Sequence, residues 1–517
     1  MNKIKRAIIS VWDKAGIVDL ANFLVSHNVE IISTGGTKKE LEKAGVPVLS
    51  VSSLTNQQEI MDGRVKTIHP NLFGGILADR SNDKHIHDLS LIESKLIDLV
   101  IINLYPFVNE AVDKKLKLEK SIEFIDIGGP SMLRAAAKNY KNVIPVCDIS
   151  QYEIFMNDYK INNGFFSDEK RVFYAKSVFA LTMKYDYEIN EYFINYNQSN
   201  GKNILPSSYS INLKKEIDLR YGENPHQKSA YYVDDNQKKI WIKIQGKQLS
   251  YNNYLDMESA SNIVYGFNSI SCVIIKHSNP CGFGFGENNL TAYNNAVSTD
   301  PVSYFGGIVA FNSEVGSQEA YKMTEVFLEC IIAPSFTNEA IEIFSKKKNL
   351  RIIELDKNNI YNNENNFVIK SVFNGYLFQD KDKMIEKDFK VVTNRKPNEK
   401  QMKALMLGWE IVKYVKSNAI VINNSKKLLG VGAGQMSRVD SVKIAIRKSK
   451  ENGLNLVNSV MASDAFFPFS DSLELVLKEG IEGIIQPGGS IKDKEIIDFA
   501  NDNNLFMVFT GERHFLH

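Results

Sequence analysis

Little in this chain points to a disulfide framework, a membrane or a nucleic-acid partner. Its four cysteines, Cys147, Cys272, Cys281 and Cys330, are scattered over 517 residues with no CxxC pair. That usage excludes a disulfide scaffold and fits a reducing compartment, so a cytoplasmic protein is expected. No apolar run approaches the roughly 20 residues that a membrane-spanning helix needs. The run in MNKIKRAIISVWDK is too short for a secretory signal and is broken by Asp13-Lys14. Charge of one sign is missing too: 62 Lys and Arg stand against 61 Asp and Glu, a formal net charge of +1. Bulk charge therefore gives no reason to expect nucleic acid or an acidic membrane surface, and leaves only local anion sites open.

What is present is a globular composition, 44% hydrophobic and 24% charged, at a length that favours two to four domains. The first third alternates strand and helix. KRAIISV, VEIIS, GGILA and LIDLVIINL read as strands. Ala15 to Ser26 reads as a helix with Ile17, Leu20, Ala21 and Leu24 on one face. A second helix is expected from Thr37, with Glu40 three residues on as a capping box and Gly45 and Pro47 as its stop. IGGPSMLRAAAKNY reads as a helix with Pro130 in its first turn. This βαβ rhythm implies an α/β fold with a mostly parallel sheet under helices. Ser167 to Asn195 is helical in pattern. QSNGKNILPSSYS reads as a linker, which places a boundary near residue 200. The rest is mixed α/β, with strands expected at SCVIIK, FGGIVAF, NAIVINN, KLLGVGA and EGIIQ. DKNNIYNNENNF reads as a polar surface loop or hairpin turn.

Chemistry gathers in short stretches. Ser33-Thr34-Gly35-Gly36-Thr37 joins a strand to a helix, and fits either a phosphate cradle or a plain βα turn. GRVKTIHP brings Arg64, Lys66, Thr67 and His69 close together, which favours the phosphate. Arg134 and Lys138 share a helix face opened by Asp126, Gly128 and Gly129. Set at the ends of parallel strands, these groups would converge on one crevice suited to a sugar phosphate. In the second part, IIKHSNPCGFG delivers Lys276 and His277 at a strand end. A His there can move protons near neutral pH and a Lys can hold negative charge on a carbonyl oxygen. An ordinary strand end with a solvated Lys is the plainer reading of the dipeptide alone. Cys281 lacks the PCxxC partner of a zinc deaminase and reads as a packed thiol, so no metal is expected. LRYGENPHQ carries Arg220, Tyr221, Asn224 and His226. GVGAGQMSR is a glycine-rich turn ending at Arg438, without a dinucleotide G-x-G-x-x-G pattern. SDAFFPFSD sets Asp464 beside Phe466 and Phe467, either as a floor for a flat heterocycle or as a core corner. QPGGS is another possible anion loop, and Arg513 in the tail could clamp a carboxylate.

Taken together, SVWDK, STGGT, GRVKTIHP, NLYPF, DIGG, AAAKN, LRYGENPHQ, KHSNPCG, GAGQMSR, SDAFFPF, PGGS and the RHF tail span the chain in one order. They resemble the bifunctional purine-biosynthesis family that combines phosphoribosylaminoimidazolecarboxamide (AICAR) formyltransferase with IMP cyclohydrolase. The resemblance implies a methylglyoxal-synthase-like cyclohydrolase domain over residues 1–198. It implies a formyltransferase domain of two cytidine-deaminase-like subdomains over 199–517. It implies formyl transfer from 10-formyltetrahydrofolate, the co-substrate, to AICAR, then dehydrative ring closure of the formylated product (FAICAR) to IMP. By the same resemblance His277 would move the proton and Lys276 would steady the oxyanion. Arg220, Tyr221, Gly306, Glu329, Asn418 and Arg438 would hold AICAR, Gly306 and Glu329 being matched through flanking FGG and IIAP. Asp464, Phe466, Phe467 and Arg513 fall on the folate side. For ring closure, Lys138 matches the acid/base lysine, with Asp126 and Tyr105 in its proton network. Ser10, Lys14, Thr34, Gly35, Gly36, Thr37, Arg64, Lys66, Thr67 and Asn103 would hold the ribose phosphate. A homodimer with formyltransferase sites shared across its interface is implied as well. Trp12 departs from the small residue usual in the family and could crowd the phosphate loop. Glu512 and Leu516 depart from the usual tail. Two other functions compete: a purine-ribotide sensor without turnover, and a formyltransferase whose first domain is inactive.

Overall fold

The computed structural model describes residues 3–198, 205, 209, 211–234, 239–355, 367–383 and 389–517. The linker expected around residue 200 and most of the Asn-rich stretch lie outside the described residues. The chain divides into two compact units, Met1–Ser210 and Ile211–His517.

The first unit is built on a wholly parallel sheet. Its strands are β1 (Arg6–Val11), β2 (Glu30–Ser33), β3 (Leu49–Ser50), β4 (Leu99–Asn103) and β5 (Ile144–Val146), in the order β3-β2-β1-β4-β5. Both faces are covered, which is why β1 carries an unbroken apolar run rather than an alternating one. Ala7, Ile9 and Val11 face α1 (Ile17–Ser26) through Ile17, Leu20, Ala21 and Leu24. Ile8 faces the other way, onto Leu72 and Ile76 and onto Met132, Leu133 and Ala136.

Two readings change here. GGILA is not a strand but the end of helix α3 (Pro70–Leu77), opened by Pro70 at its first turn and by His69, whose Nδ1 accepts the Asn71 N–H. The helix after β2, α2, spans Gly35–Lys43 and starts before the expected capping box. Thr37 does not cap it: its hydroxyl donates to Val11 O at 2.9 Å and accepts Val11 N–H at 3.0 Å, tying α2 to the end of β1. The remaining helices used below are α4 (Gly128–Lys138), α5 (Gln151–Ile161) and α6 (Asp168–Gln198).

The second unit opens with a small antiparallel pair, β6 (Leu213–Asp218) and β7 (Ala230–Asp234). Two passes of one pattern follow. The first is β8 (Trp241–Gln245), α7 (Tyr251–Val264), β9 (Ser271–Lys276), β10 (Asn279–Phe285), α8 (Asn289–Val297), β11 (Ile308–Phe311), β12 (Cys330–Ala333) and β13 (Arg351–Leu355). A separate hairpin of β14 (Phe367–Val372) and β15 (Gly375–Asp380) stands between the passes. The second is β16 (Lys390–Val391), α9 (Glu399–Val412), β17 (Ile420–Asn423), β18 (Leu428–Gly432), α10 (Arg438–Glu451), β19 (Val460–Ser463), β20 (Gly483–Gln486) and β21 (Phe506–Phe509). The six-stranded sheets have matching orders, β10-β9-β11-β12-β13-β8 and β18-β17-β19-β20-β21-β16. Each has an antiparallel hairpin at one edge, three parallel strands and an antiparallel strand at the other edge.

The passes meet at their equivalent edge strands. Gly284 of β10 pairs antiparallel with Lys427 beside β18, and the Phe285 N–H donates to Lys426 O at 2.8 Å. One core underlies both sheets, joining Val273 and Ile275 of the first to Val421 and Ala462 of the second through α7 and α9. Two glycines of GVGAG, Gly430 and Gly432, allow a helix to pack directly on β18. A Cβ on Gly430 would stand 2.5 Å from Ala445 O, and one on Gly432 2.0 Å from Ser441 O, so these glycines let α10 lie directly on β18. The strand ends at Gly432, and Ala433 to Ser437 form the turn into α10, as the glycine-rich stretch ending at Arg438 leads one to expect.

Candidate active sites

In the first unit the switch point of strand order lies between β1 and β4, and ligands of open parallel sheets bind beyond the carboxyl ends of such strands. Most of the expected groups meet there. Asn103, at the end of β4, accepts the Trp12 and Asp13 N–H groups at 2.6 and 3.0 Å and donates to Asp13 O at 2.8 Å. Ser10 Oγ and Thr34 Oγ1 are 3.3 Å apart. A Cβ on Gly35 would find Lys66 Nζ at 3.9 Å, and one on Gly36 would find Lys14 Nζ at 3.8 Å, so two ammonium groups stand over the first turn of α2. That turn carries the unpaired N–H groups and positive dipole end that favour an anion.

The start of α4 closes the crevice from the other side. A Cβ on Gly128 would come within 2.4 Å of Thr67 Oγ1, and one on Gly129 within 2.4 Å of Asp126 Oδ2. Asp126 accepts the Gly129 N–H at 2.9 Å, and its own N–H donates to Tyr185 OH at 2.7 Å. Burial pushes the Asp126 carboxyl above its ordinary pKa, against the Gly129 N–H and the Lys66 charge, which pull it down. Tyr105 lies against Trp12, ring centroids 4.7 Å apart. Trp12 is thus part of the crevice wall beside Tyr105.

Two expected residues are not brought to this cluster. Arg64 is exposed and ion-paired with Glu123. Lys138 closes α4 at the opposite edge of the sheet, where the next residue, Asn139, donates to Ile76 O and Ala78 O. Ten residues of helix put it about 15 Å from Gly128 along the axis.

In the second unit Lys276 ends β9, and His277 and Ser278 form the turn into β10 with φ of 54° and 60°. Two left-handed residues at the centre of a two-residue hairpin loop make a mirror-image turn that favours Asn-Gly. His-Ser in those positions costs about 1–2 kcal/mol each, so neighbouring contacts must hold the turn. Asp256 of α7 accepts the Ser278 N–H at 2.6 Å, and Asn279 Nδ2 donates to His277 O at 3.0 Å. Lys276 Nζ donates to Phe305 O at 2.9 Å, beside Gly306. The Glu329 N–H donates to Gly307 O at 3.1 Å. Lys276, Gly306 and Glu329 therefore share one edge of the first sheet. Arg351, missed in the sequence, ion-pairs with Glu329 and donates to Gln248 O at 3.0 and 3.1 Å. Gln248 in turn donates to Asp218 O, two residues before Arg220. Arg220 lies over its neighbour Tyr221, 5.3 Å from the ring centre.

Arg438 lies at the opposite edge of the second sheet, where β19 ends and β17 begins. Its guanidinium is buried against Asp464, donates to Ser463 Oγ at 2.8 Å and to Asn418 Oδ1 at 2.9 Å. Ser417 Oγ donates to the other Asp464 oxygen at 2.6 Å, and the His514 N–H donates to Asp464 O at 2.9 Å. Asp464 is fully buried and already bonded, and Phe467 is fully buried in the core below. Neither is exposed to a folate. Phe466 is 39% exposed and Arg513 is exposed over Phe515, so these two of the four remain accessible.

The edge-to-edge pairing explains how the two clusters come to one rim. Because β10 and β18 run antiparallel, the start of β10 lies beside the end of β18. The Lys416 N–H donates to Asn279 Oδ1 at 3.0 Å, and the Gly434 N–H donates to Lys416 O at 2.8 Å. The KHSN turn and the Ser417-Asn418 segment are thereby linked. A cleft of about 270 Å³ opens beside Lys276 and His277, with Cys281 and the Lys448–Asp300 ion pair in its wall. Burial holds the Cys281 thiol up at about 12, so it stays protonated. Among the described residues no group of three or more His, Cys, Asp or Glu side chains could hold a metal ion.

Asp256 and Arg351 escaped the sequence reading for different reasons. Arg351 carries a signal, a charge opening the apolar strand RIIEL. Asp256 sits in a polar helix start with nothing to single it out.

The chain matches the family model described as AICARFT/IMPCHase bienzyme over residues 136–448 and the MGS-like domain over 16–131. It is 46% identical over 519 aligned residues to the bifunctional purine biosynthesis protein PurH of Leptospira biflexa, covering 100% of both chains. It is 47% identical to the protein of the same name from Fusobacterium nucleatum, covering 99% of this chain and 100% of that one. The solved structure of ForH is 31% identical and covers 37% of this chain and 99% of that chain, with a TM-score of 0.33.

Proposed function

The chain belongs to the AICARFT/IMPCHase bienzyme family, and on that premise we propose how its two units divide two reactions. The enzyme is bifunctional, an AICAR formyltransferase and IMP cyclohydrolase acting in the last two steps of purine biosynthesis. The competing sensor reading is not favoured. We assign formyl transfer to the second unit and ring closure to the first, with 10-formyltetrahydrofolate as the donor, although family membership alone implies no more than a folate one-carbon donor.

In formyl transfer the 5-amino group of AICAR attacks the formyl carbon, and tetrahydrofolate leaves. His277 takes the amine proton as the bond forms. Lys276 turns its ammonium group from Phe305 O to the developing oxyanion. Arg438, held by Asn418, Ser463 and Asp464, keeps Nε and one Nη2 hydrogen for the nucleotide. The observation that carries this reading is the convergence of the KHSN turn and the Arg438 cluster on one rim. In ring closure the carboxamide nitrogen attacks the formyl carbonyl of the same molecule, and water leaves. Holding the reactive conformer is most of the task. The α2 start with Lys14 and Lys66 takes the phosphate, and the raised Asp126 carboxyl, with Tyr105, moves protons.

Lys138 serves ring closure only if a second copy brings its end of α4 to the crevice. A homodimer with shared formyltransferase sites fits the exposed positions of Arg220 and Arg513. No helix among the described residues is long and apolar enough to cross a membrane, and the substrates of purine synthesis suit a cytoplasmic enzyme. The test is an assay of the full chain with AICAR and 10-formyltetrahydrofolate, products separated by chromatography. IMP is expected. Formylated AICAR accumulating without IMP would overturn the assignment of the first unit, and no product would overturn both.

A further inference from the structure

The turn that carries His277 is held from one side by a single carboxylate. Asp256 Oδ1 receives the Ser278 N–H at 2.6 Å and stands 3.4 Å from Ser278 Oγ. It projects from α7, whose Met257 and Ala260 are fixed in the core shared by both sheets. The opposite side of the turn is fixed by Asn279, through His277 O and the Lys416 N–H. Without these clamps the hairpin has no glycine to keep it left-handed. We propose that Asp256 is a positioning residue for formyl transfer: it clamps the His277–Ser278 turn to α7 and so fixes where the imidazole points. The inference rests on the formyl-transfer reading of His277.

Burial raises the Asp256 carboxyl, while the Ser278 N–H and the charge of protonated His277 pull it back down. The other titratable groups around the cleft are Lys276 on β9, Cys281 on β10, and Lys448 of α10 with its partner Asp300. None of them bonds to the turn itself. In the reaction, His277 takes one proton from the attacking amine. Asp256 transfers none, and its part is to keep the imidazole aimed.

The clamp can be tested by itself. An Asn at 256 can still accept the Ser278 N–H, whereas Ala removes the acceptor. In the full-length enzyme, D256A should lower kcat for formyl transfer by about 10²-fold, within the range that a misplaced catalytic group costs. KM for AICAR should change little, and the cyclohydrolase rate with FAICAR should be unchanged. D256N, which keeps the acceptor, should retain most of kcat. Thermal unfolding of each variant reports whether the second unit still folds, and D256N remains informative if D256A does not. Wild-type kcat in folded D256A, or a loss in folded D256N as large as that in D256A, would overturn the inference. H277A, run alongside, separates the two readings. If H277A keeps wild-type formyl transfer, the assignment of the site fails. If H277A is inactive while both Asp256 variants behave as wild type, only the present inference fails.

Discussion

Arg438 and Asp464 show why a residue's chemistry has to be weighed with its burial. Asp464 is fully buried and Arg438 nearly so, and each is the other's charge partner. Removing one partner strands a buried charge, which typically costs about 3–5 kcal/mol. R438A should therefore lower stability by about that amount in urea unfolding, and not merely weaken AICAR. Asp126 gives a prediction of opposite sign. Its folded-state pKa is raised, with burial the leading cause, so its ionised form opposes folding. The stability it contributes is present below the unfolded pKa and is lost as pH rises through the raised folded value. D126N should unfold at a higher temperature than wild type at neutral pH, with the gain vanishing in acid, and should abolish ring closure. A thermal scan across pH, with the FAICAR assay beside it, checks both. Lys66 offers the third test. K66A should slow ring closure by about 10²-fold, because its ammonium faces both the α2 turn and Asp126. K138A should leave the in-chain cluster intact.

Elements decide which glycines matter. β18 and α10 approach so closely that a methyl on Gly432 would overlap the Ser441 carbonyl. G432A should destabilise the second unit by about 1–3 kcal/mol through overpacking, with no direct loss of a ligand contact. Denaturant unfolding followed by formyl-transfer assay of the folded fraction separates the two effects. At this scale the sequence was legible wherever one element decides its own face. The β1 run, the α1 stripe, the long helix from Ser167 and the SCVIIK strand all form much as their patterns imply. It was not legible where a distant element intervenes. GGILA looks like a strand, but Pro70 and the His69 cap start a helix that carries it. Thr37 looks like a helix cap, but β1 takes its hydroxyl. GVGAG is legible as a strand running into a glycine-rich turn, but only α10 lying on it shows why Gly430 and Gly432 must be glycine. The KHSN hairpin could be placed at a strand end, yet its supporting carboxylate comes from a helix twenty residues upstream with no local pattern to betray it.

At the scale of the whole molecule, the second unit repeats one layout twice and joins the copies at equivalent edge strands. That arrangement has a consequence for function. A parallel α/β sheet normally offers its carboxyl edge to ligands. The second sheet does so with Asp464 after β19. The first offers the opposite edge, with Gly306 and Glu329 before β11 and β12. The antiparallel junction of β10 and β18 turns these opposite edges onto one rim, so the Lys276–His277 turn and the Arg438 cluster can act together. No short-range pattern in the sequence reports this, because Gly284 and its partner Lys427 are 143 positions apart. The motifs assigned to the two reactions were legible, and the family resemblance already divided them between two domains; which of them meet on one rim needed the fold. The central claim is that one chain carries both sites and that they are independent. It is tested most directly by giving full-length H277A two substrates in turn. With AICAR and 10-formyltetrahydrofolate it should form no product, and with FAICAR it should form IMP at the wild-type rate. Formyl transfer surviving in H277A, or loss of ring closure along with it in a folded protein, would contradict the account.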